Sequence, residues 1–387
     1  MEVNRWAGAA ASPSTSSFTA GMEATSQACA GRDPSLLVVF ASDDHDLDEL
    51  VKGVHEAAPG AEVVGCTTAG EITSSEAGST GLVVFALGGA GFSVATAASP
   101  NASGDLRSAG AEAARAALAG CQGAHQTLLL LTDGLAGDQQ EVVRGAYSAA
   151  GASIPLVGGC AGDDLRMERT RQIHGREVMT DAVVVVALGS DAPMGIGVQH
   201  GWRKVGQPLV VTRAIGTRVK TLDDRPALDA YLERLSPPED AHHDRAAFTH
   251  FAQTHPLGLE RRTGEAIRFV ADADFDKREL VCIAEVPEGG LAYLMEGDVE
   301  SVLSAADAAC RDALAQLGPR EPIGILAFDC IARRGVLGDE GLSREVVRLA
   351  ANSCGAPLAG FYTYGEFART QGVSGFHNQT LVVLALA

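Results

Sequence analysis

The sequence is poor in aromatic residues, which make up 5% of its 387 positions, although hydrophobic residues reach 46%. We therefore expect a core built mainly of Ala, Val, Leu and Ile. Basic residues are also scarce, because 30 Lys and Arg stand against 49 Asp and Glu, a net charge of −19. Lys and Arg supply most of the affinity for phosphate groups, so this balance argues against nucleic acid and against anionic membranes as partners.

Long apolar runs, a secretory leader and paired cysteines are missing as well. No apolar run approaches the roughly 18 residues that span a bilayer. The eight cysteines include no pair at CxxC spacing, which argues against a zinc site of the usual kind. Scattered thiols without a signal peptide predict a reducing, cytoplasmic location. Residues 1–18 are rich in Ser, Pro and Ala and are expected to form a disordered tail.

What the sequence does contain is one short glycine phrase, used three times. The copies are Gly65-Cys66-Thr67-Thr68-Ala69-Gly70-Glu71, Gly158-Gly159-Cys160-Ala161-Gly162-Asp163-Asp164 and Gly360-Phe361-Tyr362-Thr363-Tyr364-Gly365-Glu366. Each copy follows a helical pattern and a short apolar run, and another apolar run comes after it, at 82–88, 183–189 and 381–387. This recurrence indicates internal duplication.

The surrounding pattern predicts a mixed α/β (α+β) fold of two related halves, each with mixed sheets flanked by helices. The domains are expected at 19–205 and 206–387. The runs at 80–88 and 91–97 are expected to pair as a hairpin. Two alternatives stay open: the halves share one continuous sheet or have two, and the Ala-rich helices pack on each other or on a second copy in a homodimer.

The phrase has the glycine spacing of a phosphate-binding loop but not its chemistry. In the first copy Glu71 stands where the lysine of a P-loop is required, so nucleotide binding is not predicted. A glycine-anchored loop with Thr67 and Glu71 could bind an anion or a carboxylate through backbone N–H groups. Alternatively, the glycines make turns or close sheet contacts. The first two copies are interpreted mainly as such turns.

The third copy is the stronger candidate for a ligand pocket. It places Tyr362 and Tyr364 beside Glu366, and tyrosines are common pocket linings. Cys330 and Arg333 end the preceding strand, and Arg suits bidentate recognition of a carboxylate. The alternative for Arg333 and its neighbour Arg334 is a surface ion pair.

Several segments resemble a known family. The first phrase resembles the N-terminal FIST domain, and DCIARRGVLG, PLAGFYTYGEF and HNQTLVVLAL in the last 65 residues resemble the C-terminal FIST domain. The resemblance covers about residues 20–387. It implies an intracellular sensory module of signal transduction that binds a small ligand, with amino acids proposed. The chain also resembles stand-alone bacterial FIST proteins that bind haem, sense nitric oxide and regulate a partner histidine kinase or a cyclic-di-GMP enzyme (diguanylate cyclase or phosphodiesterase).

Three function hypotheses follow from the residues and the resemblance. Haem b needs an axial ligand, most often His, for which His255 and His200 are the candidates, with His250 and His377 as alternatives. The second hypothesis is an amino-acid or other small-carboxylate sensor without haem, using Arg333 and the tyrosine loop. The third is a Cys-dependent enzyme using Cys66, Cys160 or Cys330. No nucleophile signature accompanies these cysteines, so we expect no enzyme.

Overall fold

Three consecutive segments of the chain fold into the same α/β unit. The structure, a computed structural model, describes residues 5–75, 77–78, 81–261, 264–370 and 375–387. Each unit runs strand, helix, strand, helix, strand, short hairpin, strand, and the third carries an inserted lobe. The mixed α/β fold and the internal duplication predicted from the repeated phrase are confirmed. None of the helices in the described ranges is long and apolar enough to cross a membrane.

The first two units follow each other without interruption. The elements of unit 1 are β1 Trp6–Ala11, α1 Ser17–Cys29, β2 Leu36–Ala41, α2 Leu47–Ala57, β3 Glu62–Thr67, β4 Glu71–Thr73, β5 Ala77–Gly78 and β6 Leu82–Gly88. Those of unit 2 are β7 Phe92–Pro100, α3 Leu106–Ala119, β8 His125–Thr132, α4 Gln139–Ala150, β9 Leu156–Cys160, β10 Gln172–His174, β11 Glu177–Met179 and β12 Ala182–Ser190.

Unit 3 is interrupted after its first strand, β13 Met194–Gln199, by the inserted lobe (residues 203–296). The lobe contains β14 Arg203–Ile215, β15 Arg218–Leu222, β16 Arg225–Pro226, α5 Ala227–Leu235, α6 Arg245–Ala252, β17 Leu257–Arg261, β18 Gly264–Arg268, β19 Val270–Asp274, β20 Glu279–Cys282 and β21 Leu291–Glu296. Unit 3 then continues with α7 Val299–Ala315, β22 Gly324–Cys330, α8 Ile331–Asn352, β23 Leu358–Thr363, β24 Glu366–Arg369, β25 Phe376–His377 and β26 Leu381–Leu386.

The short hairpins are exchanged between units in a closed cycle. Each unit builds a four-stranded sheet, in the order β1-β6-β2-β3, β7-β12-β8-β9 or β13-β26-β22-β23. In each sheet the last two strands of that order are parallel. The hairpin β10-β11 of unit 2 extends the sheet of unit 1, β24-β25 of unit 3 extends that of unit 2, and β4-β5 of unit 1 extends that of unit 3. The three units therefore form one interlocked core with approximate threefold symmetry.

The first glycine of each phrase has the same structural role. A Cβ atom at Gly65 would lie 2.2 Å from the carbonyl oxygen of Val39, and Cβ atoms at Gly158 and Gly360 would lie 2.0 and 2.2 Å from carbonyl oxygens of their neighbouring parallel strands. No side chain fits at these distances. These glycines allow close contact within each sheet, which was the structural alternative weighed for the phrase.

Side chains from all three sheets meet in a central core. It includes Phe40, Leu129, Val186, Phe328 and Phe361, which are almost completely buried. The helices cover the outside in pairs: α1 with α2, α3 with α4 and α7 with α8. The Ala-rich α3 and α7 thus pack on helices of their own chain.

Two local expectations are wrong. The tail predicted for residues 1–18 is instead strand β1 over Trp6–Ala11, followed by the start of α1 at Ser17. Small side chains suit this strand, because a Cβ atom at Gly8 would lie 1.9 Å from the carbonyl oxygen of Ala28 in α1. The runs near 80–88 and 91–97 are strands β6 and β7, but they lie in different sheets and do not pair as a hairpin.

Candidate functional site

The three phrases meet at the carboxyl ends of β3, β9 and β23, where backbone hydrogen bonds connect them in a ring. The N–H of Ala69 donates to the carbonyl of Tyr362 at 2.9 Å, the N–H of Gly162 to that of Thr67 at 3.0 Å, and the N–H of Tyr364 to that of Cys160 at 3.2 Å. In each phrase the fifth residue thus donates its backbone N–H to the third residue of another phrase. This pattern shows which residues of the three units occupy equivalent positions.

Two of the three equivalent carboxylates are buried and satisfied within their own phrase. The hydroxyl of Thr68 donates to Glu71 at 2.5 Å, and the hydroxyl of Thr363 donates to Glu366 at 2.5 Å. The second unit has Ala161 at the threonine position and therefore lacks this donor. Its carboxylate, Asp164, is a third exposed and lies 3.4 Å from the guanidinium of Arg334. The symmetry is therefore broken at Asp164.

The third unit breaks the symmetry a second time. Units 1 and 2 pass from the middle strand to the following helix through short loops, at residues 42–46 and 133–138. Unit 3 instead has an additional helical segment, residues 331–337, joined to the rest of α8 at Gly338, whose φ is +58°. This extra segment carries Arg334 towards Asp164.

A cleft of about 480 Å³ lies between Asp164, the extra helical segment and the inserted lobe. We call it the Arg334 cleft. Its walls combine apolar side chains with an arginine, an amide and two carboxylates, and its lining residues are Asp164, Leu165, Gln253, Phe269, Ile331, Ala332, Arg334, Gly335, Gly338, Asp339 and Leu342. Few convergent polar groups in a mainly apolar concavity are typical of small-molecule sites.

Arg334 is the cation among the described residues that line this cleft, and its side chain is a quarter exposed. One of its guanidinium nitrogens donates to the carbonyl of Ala69 at 2.5 Å and faces Asp164 at 3.4 Å. Its guanidinium also lies over the ring of Tyr362, 5.6 Å from the centroid. These contacts fix the planar group at the cleft wall, where it can receive a carboxylate.

A tyrosine of the third phrase positions the loop that carries Asp164. The hydroxyl of Tyr364 donates to the carboxylate of Asp163 and accepts the N–H of Leu165 at 2.6 Å. The carboxylate of Asp163 also accepts three backbone N–H groups, those of residues 167–169. Burial alone would raise the pKa of Asp163, but these hydrogen bonds lower it below its ordinary value. Tyr364 therefore connects the third phrase to the cleft.

Arg333, predicted as a ligand-binding residue, lies in a closed internal network. Its guanidinium is completely buried and donates to Asp329 at 2.5 Å and to Glu345 at 2.6 Å. Tyr362, also predicted, is completely buried and its hydroxyl donates to Glu345 at 3.3 Å. Burial would lower the pKa of Arg333, but the two carboxylates raise it overall.

The other predicted ligand residues lie around the ring. Cys330, Glu366, Thr67 and Glu71 are all buried. Glu366 accepts the hydroxyl and the N–H of Thr380, and burial raises the pKa of its carboxyl to about 7. The hydroxyl of Thr67 accepts the N–H of Arg171 at 2.9 Å. The structure thus brings the predicted set together behind the cleft, with only Tyr364 partly exposed.

Glu71 also contributes to the wall of a second cleft, of about 390 Å³, on the other side of Asp164. Its remaining polar walls are hydroxyl and carboxylate groups and one imidazole from unit 1, namely Ser12, Ser14, Thr15, Ser42, Asp44 and His45. Among the lining residues that the structure describes, this cleft has no arginine or lysine. It is therefore a poorer candidate for an anionic ligand.

The candidate haem ligands His200 and His255 are not among the lining residues described for either cleft. The Nδ1 atom of His200 accepts the N–H of Trp202 at 3.0 Å, which leaves the ring proton on Nε2, 3.7 Å from Glu265. The Nδ1 atom of His255 lies 2.8 Å from the carbonyl of Phe251, so it carries the proton and Nε2 has the lone pair. Within the described ranges, no group of three or more His, Cys, Asp or Glu side chains is arranged to hold a metal ion.

Sequence reasoning missed most of the cleft. Asp164 was noted only as part of the second phrase, and Phe269 and Gln253 come from the lobe, far away in sequence. Arg334 was considered beside Arg333, but adjacent helical residues point about 100° apart, so only one of them can face the cleft. The missing threonine at Ala161 was the available signal that the second copy differs.

Comparison with known proteins supports the resemblance. The FIST N domain model matches residues 35–225, and the FIST C domain model matches residues 227–369. An uncharacterized protein of Methanocaldococcus jannaschii is 31% identical over 157 residues, which cover 38% of this chain and 30% of that protein. An uncharacterized protein of Mycobacterium tuberculosis is 28% identical over 230 residues, which cover 58% of this chain and 59% of that protein. The matches thus span less than two thirds of these relatives.

Among solved structures, a cyanuric acid hydrolase from A. caulinodans aligns over 99% of both chains, with a TM-score of 0.39 and 11% identity. We draw no conclusion about fold or function from a similarity at this level.

Proposed function

Because the chain belongs to the FIST family, whose domains are sensory modules of signal transduction that bind small ligands, we propose that it senses a small carboxylate, most simply an amino acid, in the Arg334 cleft. The observation that carries this proposal is the pair formed by Arg334 and Asp164 at the cleft wall, 3.4 Å apart. A free amino acid offers a carboxylate to the guanidinium and an ammonium group to Asp164. The apolar side chains of Phe269 and Leu342 are suited to its side chain.

A binding role also agrees with the state of the cysteines. Cys66, Cys160 and Cys330 are at most 2% exposed. Burial raises the pKa of each thiol, so all three are protonated and inert at neutral pH. We therefore propose a cytoplasmic sensor rather than a Cys-dependent enzyme.

Calorimetry against the twenty amino acids tests the proposal. At least one should release or absorb heat on binding, and Arg334→Ala should weaken that binding about tenfold or more, the effect of losing one charge-assisted hydrogen bond. Arg344→Ala is the matched control, because Arg344 lies on the same helix, pairs with Glu300 and is not among the lining residues of the cleft. A flat response to the whole panel would rule out the amino-acid ligand.

Haem is the second hypothesis, and with it regulation by nitric oxide of a partner kinase or cyclic-di-GMP enzyme. Its supporting observation is the tautomer of His255, which leaves Nε2 available for a metal. The Arg334 cleft itself does not fit haem, because its walls carry Asp164 and Asp339 where haem needs an apolar slot.

The visible spectrum of protein purified with haem supplied separates the two hypotheses. If His255 is the ligand, a Soret band should appear in the natural protein and in His200→Ala and should be lost in His255→Ala. The absence of any Soret band, with no change on adding nitric oxide, would eliminate haem.

A further inference from the structure

The inserted lobe has a hydrophobic core of its own. The buried cluster that contains Leu209, Tyr231, Phe248 and Leu280 consists entirely of residues between 205 and 294. Few lobe residues join the clusters of the three units, among them Ile267 and Ala284. A segment with a separate core and few apolar contacts to its surroundings is able to move as one body.

Both connections of the lobe leave the core side by side. Arg203 and Glu296, the residues at its two ends, are direct partners in the antiparallel pair of β14 and β21. Gly201, just before the lobe, has a φ of +82°, and a Cβ atom at Gly297, just after it, would lie 2.4 Å from the ring of Trp202. Two adjacent connections that contain glycine are a candidate hinge, because rotation at this one place would move the whole lobe.

The Arg334 cleft lies where the lobe faces α8. Gln253 and Phe269 come from the lobe, whereas Arg334 and Gly335 belong to α8. A Cβ atom at Gly335 would lie 3.6–3.8 Å from the side-chain amide of Gln253. Lobe and helix therefore approach each other at one end of the cleft, and rotation at the hinge would change its width.

One hydrogen bond next to the cleft joins the lobe to the turn that precedes β26 in unit 3. The side-chain amide of Gln379 donates to the carbonyl of Gln253 at 2.7 Å. Gln379 is completely buried, and its Oε1 atom has no hydrogen-bond partner among the described residues. On the other side of Gln379, its carbonyl accepts the indole N–H of Trp202 at 3.0 Å. Gln379 thus connects the hinge residue to the wall of the cleft.

We propose that the inserted lobe opens and closes over the Arg334 cleft about the hinge at residues 201–202 and 297, and that the bond from Gln379 to Gln253 holds it closed. The inference rests on the proposed function in one respect, namely that the ligand occupies this cleft. Affinity then scales with the closed fraction of the protein, because only the closed form completes the site.

Pulsed electron paramagnetic resonance tests the motion without any ligand. Spin labels at Asp276→Cys in the lobe and Glu112→Cys in α3 occupy exposed positions, in a Cys354→Ser background that removes the exposed cysteine among the eight. We expect two distance populations. Gln379→Ala should raise the ratio of open to closed about fivefold, the effect of one hydrogen bond.

Gln316→Ala is the matched control, because the amide of Gln316 donates to the carbonyl of Ile196 at 2.6 Å without crossing from the core to the lobe. This variant should leave the two populations unchanged. If Gln379→Ala does not fold, a second variant tests the motion. A disulfide formed between Gln253→Cys and Gly335→Cys should remove the open population and leave one distance, that of the closed form. A single narrow distance in the natural protein, unchanged in the variants, would overturn the proposal. The spin-label experiment uses no ligand. If calorimetry showed no binding of any amino acid, the amino-acid proposal would fail, but the proposed motion of the lobe would still be tested by the distance measurement.

Discussion

Arg333 and Arg334 are neighbours in the sequence, yet the first is completely buried between two carboxylates and the second lies at the wall of the cleft with a quarter of its side chain exposed. The difference follows from the helical turn that both occupy, which directs one side chain inward and the other along the surface. We therefore expect mutation of Arg333 to lower the stability of the fold and mutation of Arg334 to weaken ligand binding.

Replacing Arg333 should destabilise the fold strongly. Arg333→Met leaves the carboxylates of Asp329 and Glu345 buried without their cation, which costs about 3–5 kcal/mol. Urea denaturation should show this as a lower midpoint with an unchanged slope. Arg344 is partly exposed at the surface, and Arg344→Met should change the free energy of unfolding by less than about 0.5 kcal/mol. If Arg333→Met were as stable as this control, the network would not contribute as described.

Replacing Asp164 should change ligand selectivity and leave the loop intact. Asp164 has a φ of +54°, a conformation that Asn also tolerates. Asp164→Asn should weaken binding of the amino acid found by calorimetry about tenfold, because the ammonium group loses its charged partner. Binding of the corresponding carboxylic acid without the amino group should be unchanged.

The comparison variant for Asp164→Asn is Asp339→Asn, since Asp339 lies on another wall of the same cleft. If only Asp339→Asn alters the preference for the amino group, the ammonium site has been assigned to the wrong carboxylate.

Glu366 should make the protein less stable as the pH rises. Burial raises the pKa of its carboxyl from an ordinary 4.5 to about 7, so the folded state holds a proton that the unfolded state releases. The contribution of Glu366 to the free energy of unfolding is fully present below pH 4.5. About 3 kcal/mol of this contribution is lost as the pH rises to 7. In Glu366→Gln the loss should disappear. The measurement is the difference in unfolding free energy between the natural protein and the variant at pH 5 and pH 7.5, because the difference cancels the other titrating groups.

An equal difference at both pH values would contradict the raised pKa. The amide of the variant can keep its oxygen towards the donors of Thr380 and place its NH2 group against the hydroxyl of Thr363, so the geometry of the natural site is retained.

The sequence predicted what local patterns determine. The continuous apolar run Leu36–Ala41 forms a buried strand, and the carboxylate of Asp46 caps the helix Leu47–Ala57. Both signals act within a few residues, so they can be read directly from the sequence. The repeated glycine phrase also predicted the duplication. The exchange of hairpins between units leaves no comparable pattern in the sequence. For example, β10 pairs with β3, a strand more than a hundred residues earlier in the chain.

The candidate site was harder to predict for the same reason. Its walls come from the second unit, the lobe and α8, and the choice between Arg333 and Arg334 depends on which helix face meets the core. The predicted cluster of Cys330, Tyr362 and Glu366 does come together, but behind the cleft. Proximity in the sequence therefore predicted which residues lie together at the carboxyl ends of the strands. It did not predict which of these side chains reach solvent.

Leu165 offers a test of the strained loop beside the cleft. Its φ is +63°, in the left-handed region that costs an L-residue roughly 1–2 kcal/mol, and its side chain is 61% exposed. Leu165→Gly removes this strain and loses little buried surface, although the unfolded chain gains flexibility. We expect a net stabilisation of about 0.5–1 kcal/mol, seen as a higher thermal midpoint. Leu291→Gly is the control, because Leu291 is an exposed leucine, 41% accessible, within strand β21. That change should destabilise by about 1 kcal/mol, and equal destabilisation by both substitutions would show that the loop at Leu165 is not strained.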